Sequence, residues 1–102
     1  MNQKDYLDFL ETKDINWTIQ YHGYVYIFYF QKVKKNCSLT VMKCPKKNIN
    51  FKKKRLTMED EKIFHGKSLE EVKAKMLEAK LFEKQRFEDV KDDILVIDKF
   101  SH

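Results

Sequence analysis

INWTIQYHGYVYIFYFQKV, residues 15–33, decides the fold of this 102-residue chain. Ile15, Trp17, Ile19 and Tyr21 alternate with Asn16, Thr18 and Gln20, the two-residue period of a strand with one apolar side. His22-Gly23 supplies a two-residue turn, glycine providing the positive φ that such hairpin turns need. A second strand runs from Tyr24 to Val33. Cross-strand partners then sum to 45 in residue number, so Tyr21 faces Tyr24, Ile19 faces Tyr26, Trp17 faces Phe28 and Ile15 faces Phe30. Opposite residues share a face, and eight large apolar side chains therefore line one side of the hairpin. The other side sets Asn16, Thr18 and Gln20 against Val25, Ile27 and Tyr29, a mixture that fits a face partly covered by something else.

Upstream, residues 3–12 place Tyr6, Leu7, Phe9 and Leu10 on one side at helical spacing, and Lys13-Asp14 closes that helix. Downstream, Lys34-Lys35-Asn36 makes a second turn whose register is open by a residue or two. Ser38 to Lys43 is a third strand, ended by Pro45 because proline cannot donate to a ladder. Asn48 to Phe51 returns as a fourth, edge strand that leads into Lys52, Lys53, Lys54 and Arg55. Thr57 followed by Met-Glu-Asp-Glu either caps a short helix reaching His65, with Gly66 as its stop, or turns into a short strand from Lys62 to His65.

Ser68-Leu-Glu-Glu71 is a capping box, followed by the stripe Leu69, Val72, Met76, Leu77 and Lys80. No glycine or proline follows Lys67, which carries the helix past Phe82 and Phe87 to Val90. Ile94 to Ile97 reads as a last buried strand, with a further helical turn as the alternative. The prediction is a single α+β domain over residues 1–102. It has an N-terminal helix, an antiparallel meander of three or four strands, and a C-terminal helix packed on one face above Trp17. A last short strand is possible within that scheme.

Composition bounds the function. The chain is 42% hydrophobic and 14% aromatic, enough for a packed core. The longest uncharged apolar stretch, Tyr24 to Phe30, is too short for a membrane span. No apolar segment with a cleavage site opens the chain, so the expectation is a cytoplasmic domain without a membrane. The net charge of +5 is unevenly placed: residues 1–30 carry −2, residues 31–55 carry +10 with no acid, and residues 56–102 carry −3. Nineteen of the 21 basic residues are lysine, while alanine, glycine and proline are scarce. That pattern follows the codon bias of an AT-rich genome. Only Arg55 and Arg86 offer the planar fork that base-specific readout favours.

Catalytic and metal motifs are weak. Asp60-Glu61-Lys62 has the acid-x-Lys half of a nuclease site, but no acid lies between Asp14 and Glu59 to complete it. Gly66-Lys67-Ser68 ends like a P-loop, yet Glu61 stands where its first glycine belongs. Cys37 and Cys44 are seven residues apart and read as reduced, structural thiols. With His22 and His65 they would make four zinc ligands, at a spacing that matches no common motif. The expectation is no enzyme, no cofactor and no metal.

The order helix, three antiparallel strands, helix resembles double-stranded-RNA-binding domains and the HicA-type ribonuclease toxins of the same topology. The stretches that carry it are DYLDFLETKDINWTIQYHGYVYIFYF, SLTVM and GKSLEEVKAKMLEAKLF. The toxins enter their second strand with Gly-Ser-His, whose histidine is catalytic, and this chain has Gly23-Tyr24-Val25. The RNA-binding modules start their second helix with basic residues, and this chain has Glu70 and Glu71.

Two functions follow from the residues. One is a module that holds the backbone of RNA or DNA through Lys43, Lys46, Lys47, Lys52, Lys53, Lys54 and Arg55, with Tyr24, Tyr29 and Phe51 available for stacking. The other is a regulator or inhibitor from a phage or other mobile element that docks on a host protein with an acidic surface. In that reading the same lysine block meets the acidic surface, and nucleic acid is the first expectation of the two. Wild-type affinity after replacing Lys52, Lys53 and Lys54 by glutamate would move the interface to the uncovered sheet face around Val25, Ile27 and Tyr29.

Overall fold

The computed structural model describes residues 1–13, 15–48 and 60–100. Helix α1 (Gln3–Glu11) is followed by strands β1 (Asn16–Tyr21), β2 (Tyr24–Val33) and β3 (Asn36–Pro45), then a 3-10 turn at Lys46–Asn48. Strand β4 (Asp60–Gly66), helices α2 (Leu69–Glu78) and α3 (Phe87–Val90), a second 3-10 turn and strand β5 (Leu95–Phe100) complete the chain. The five strands form one antiparallel sheet in the order β4-β3-β2-β1-β5. The α+β reading holds. The last short strand is present as β5, and of the two alternatives for the stretch ending at His65 the strand is the one formed, as β4 before the second helix.

The first hairpin has the expected register, from Tyr21↔Tyr24 through Ile19↔Tyr26 to Thr18↔Ile27. His22 and Gly23 take φ of 47° and 78°, the left-handed pair that a two-residue turn requires. The ladder with β2 stops at Thr18, and on its other side β1 pairs with β5 across a bulge in which Ile97 of β5 is the extra residue, between Thr18↔Asp98 and Ile19↔Val96. Trp17 and Phe28 therefore share the core face without forming a ladder pair, and the Phe9 ring lies edge-on to both, at 5.1 and 5.5 Å. The second turn resolves to Lys34-Lys35, with Val33 opposite Asn36.

Residues 60–65 are strand, not helix. A helix there would leave the outer edge of ten-residue β3 with unpaired amides and carbonyls. Pairing of Cys37–Lys43 with Asp60–Gly66 satisfies them and turns Phe64 towards the core. Of the proposed strand at Asn48–Phe51, Asn48 ends the 3-10 turn and the rest lies outside the described residues.

Ser68 caps α2 as read, its Oγ accepting the Glu71 amide at 3.1 Å. The Glu71 carboxylate accepts the amide of Lys67 at 2.5 Å, closing the cap one residue before the usual box position. A Cβ on Gly66 would lie 2.5 Å from that carboxylate oxygen. Gly66→Ala is therefore expected to dislodge the cap and cost about 1 kcal/mol, checked by urea denaturation.

The long C-terminal helix does not form. α2 ends at Glu78, and Phe82 and Gln85 close a tight turn with both backbone bonds at 3.0 Å and Glu83 and Lys84 at positive φ. The reason is volume. Five residues apart, Phe82 and Phe87 would diverge by roughly 140° on one helix, yet both are fully buried in the same core. The break lets Phe82 meet Tyr26 at 4.6 Å and Phe87 stack on Phe9 at 4.6 Å. β5 is a strand, but an edge one that exposes Leu95 and Ile97 instead of the buried strand expected.

Lys73 is the one charged side chain buried among the described residues. Its ammonium donates to the carbonyls of Leu10 at 2.7 Å and Thr12 at 3.1 Å, capping the C-terminus of α1. Burial lowers its pKa from 10.5, and Glu70 opposes that shift. Between the lowered value and 10.5 the unfolded chain binds more protons than the fold, so stability rises with pH across that window. The margin of wild type over Lys73→Met is accordingly expected to grow as pH approaches 10.5, as measured by denaturation at several alkaline pH values.

Candidate binding face

All three helices lie on one side of the sheet, because α1, α2 and α3 send Phe9, Val72, Met76, Phe87 and Val90 into a single core with Trp17, Tyr26, Phe28 and Leu39. The strand registers then assign every remaining side chain to the opposite side. β1 contributes Asn16, Thr18 and Gln20, β2 contributes Val25, Ile27, Tyr29, Gln31 and Val33, and β3 contributes Asn36, Ser38, Thr40, Met42 and Cys44. None of these carries a charge, in a chain that is 36% charged. Val25 and Cys44, a ladder pair, are buried at one end of this side, so the expected uncovered face holds at Ile27 and Tyr29 and not at Val25. Tyr29 is 49% exposed at the centre of this face, and Ile63 of β4 is 48% exposed beside it, opposite Thr40. A shallow groove of about 250 Å³ runs past Thr18, Ile27, Tyr29 and Met42.

Charge is displaced to the margins. The helical layer is acidic through Asp5, Asp8 and Glu11 of α1, Glu70, Glu71 and Glu78 of α2, and Glu88 and Asp89 of α3. The described lysines of the basic segment gather at the two ends of the β2–β3 ladder. Lys32, Lys34 and Lys35 occupy one end, while Lys43, Lys46 and Lys47 occupy the other. Ten residues of strand separate these ends by roughly 33 Å.

Three of the seven predicted site residues fall among the described ones, and they are not equivalent. Lys43 pairs with Tyr26 and so belongs to the helix-covered side, half-buried, with its ammonium 4.2 Å from the centre of the Tyr24 ring. That contact occupies its charge. Lys46 and Lys47 are exposed in the 3-10 turn, held by the Lys46 amide donating to the Gly23 carbonyl at 2.9 Å. Lys52, Lys53, Lys54 and Arg55, and Phe51 with them, lie outside the described residues. Tyr24 belongs to the core margin, whereas Tyr29 is open as the stacking reading requires.

The residues considered for chemistry are not brought together. Cys37 pairs with Lys32 on the core side, while Cys44 pairs with Val25 on the other, so the thiols lie on opposite faces of β3. Both are free and buried, and burial pushes the Cys44 thiol pKa up, away from the thiolate a nucleophile needs. The His22 ring stacks on Tyr21 at 3.9 Å and meets Glu83 at 3.0 Å, tying the hairpin turn to the turn at 82–85. Among the described residues no three histidine, cysteine or acidic side chains converge on a metal position. Among the same residues no helix is long and apolar enough to cross a membrane.

The sequence signalled this face only in its first two strands. The contribution of β3 depended on the second turn's register, and that of Ile63 on residues 60–66 being strand. Compared with protein-family models, curated proteins and solved structures, the chain shows no significant match.

Proposed function

We propose that this chain is a non-enzymatic binding module that docks a partner protein on the open face of its sheet. The observation that carries this reading is the absence of charge from all three central strands on that side, with Tyr29, Ile27, Met42 and Ile63 clustered there. Protein interfaces have such centres, depleted of charge and enriched in aromatics and methionine, inside a polar rim. The rim is polar and of both signs, with Lys34, Lys35, Lys46 and Lys47 at the ladder ends and Glu61 and Asp98 opposite Met42 and Thr18 on the flanking strands. That favours a partner with an apolar centre inside a rim of mixed charge.

The test is site-specific photocrosslinking. A photoreactive phenylalanine analogue replaces Tyr29, or Glu88 in the acidic layer as the control. Discrete adducts expected from position 29, absent from position 88 and resistant to nuclease, support protein docking. Adducts removed by nuclease, or equal yields from both positions, overturn it.

A second reading keeps the nucleic-acid backbone as partner. It is favoured by Lys46 and Lys47, exposed side by side at the start of the run that leads to Lys52, Lys53, Lys54 and Arg55. Under that reading a labelled oligonucleotide binds with an affinity that falls steeply with salt, as released counterions demand. Replacing Lys52, Lys53 and Lys54 by glutamate would then abolish binding without unfolding the chain. An affinity unchanged by salt excludes this reading.

A further inference from the structure

The sheet has two edges of different chemistry. β4 carries Asp60, Glu61 and Lys62, all exposed, and edge charges of this kind oppose a further strand. β5 carries no charge over its first half, where Leu95 is 60% and Ile97, the extra residue of its bulge against β1, 42% exposed. Three cations lie beside β5 among the described residues and each is already committed, the Met1 ammonium by donating to the Ile94 carbonyl. Lys91 sits 4.2 Å from the centre of the Tyr6 ring, and Lys99 donates to the carboxylates of Asp5 and Asp8 above Trp17. Asp92, Asp93 and Asp98 are exposed and form no ion pair among the described residues. Among the described residues, an aliphatic edge without a strand partner is thus bracketed at both ends by carboxylates that form no ion pair.

We infer that β5 is a strand-addition site for an extended aliphatic segment of a partner protein flanked by lysine or arginine. The outer amides and carbonyls of β5 pair with the incoming backbone, giving affinity without sequence demand. Alternate side chains of that segment lie against Leu95 and Ile97. Its flanking cations meet Asp92 and Asp93 at one end and Asp98 at the other, so both strand directions are accommodated. A second copy of β5 is a poor occupant, because antiparallel pairing brings Asp92 and Asp93 of one copy towards Asp98 of the other. The site uses an edge, not the open face, and stands whether or not that face docks a partner.

The probe is a fluorescein-labelled peptide of alternating valine and threonine with two lysines at each end, compared with the same peptide flanked by glutamates. Anisotropy is expected to show the lysine-flanked peptide binding about tenfold tighter or better, with amides 95–99 gaining protection from hydrogen exchange. Leu95→Lys with Ile97→Lys should remove binding. Asp92→Lys with Asp93→Lys, on the exposed turn, should reverse the preference between the two peptides and covers the case in which the first pair disturbs folding. Equal affinity for both peptides, or protection located outside β5, overturns the proposal. So does β5 protection that grows with protein concentration in the absence of peptide, which would assign the edge to a second copy.

Discussion

Phe9→Ala is expected to cost about 3–5 kcal/mol, the usual penalty for emptying a buried phenylalanine site. Phe9 is fully buried and is the ring around which the helical layer meets the sheet: edge-on to Trp17 and Phe28, stacked on Phe87. Its neighbours come from β1, β2 and α3, so no single element can collapse into the space it leaves. A domain of this size is stable by roughly 5–15 kcal/mol in total, and the variant should sit near the edge of folding at 37 °C. Trp17→Ala, at a side chain just 2% exposed, should cost a similar amount. Leu7→Ala, on the exposed side of the same helix, should stay within about 0.5 kcal/mol of wild type. Equilibrium urea unfolding at neutral pH reads all three. A small effect at Phe9 with a large one at Leu7 would invert the helix face assigned to the core.

Charge placed on the open face should have the converse signature, loss of binding without loss of fold. Tyr29→Asp combined with Ile63→Lys changes two exposed positions on adjoining parts of the sheet and leaves every fully buried side chain in place. If that face holds the centre of the interface, affinity for the crosslinked partner should fall by about 2–4 kcal/mol, roughly 30- to 1000-fold. Thermal unfolding should move by no more than a few degrees. Wild-type affinity in this double variant would exclude the open face. Partner loss in Lys46→Glu/Lys47→Glu alone would place the interface at the basic end of the β2–β3 ladder.

The candidate site was partly legible beforehand because half of it is local. Asn16, Thr18, Gln20, Val25, Ile27 and Tyr29 were assigned to a common side by one turn, His22-Gly23, and by the two-residue period of the flanking strands. The basic segment was conspicuous for the opposite reason: a run of like charge is visible in a linear chain whatever its geometry. What the run does in space was not visible. Lys43 lies on the covered side over Tyr24, while Lys46 and Lys47 lie in the open, although all three belong to one stretch.

Local residue pattern was enough for the hairpin and its register, the start of α2 at Ser68, the end of β3 at Pro45 and the span of α1. Each of these is set by contacts within about ten residues: a positive-φ glycine, a hydroxyl cap, a missing amide, an apolar period. Tertiary structure decided the rest. Residues 60–66 had helical capping signals yet became β4, because β3 offered an unpaired edge. The helix from Ser68 met no glycine or proline yet stopped at Glu78, because Phe82 and Phe87 had to enter one core from positions that a continuous helix turns apart. Trp17 left the ladder with β2 because β5, some eighty residues away in sequence, pairs with the same strand across a bulge. In each case the deciding partner is distant along the chain, and local periodicity carries no record of which edge is free or how much volume the core has left.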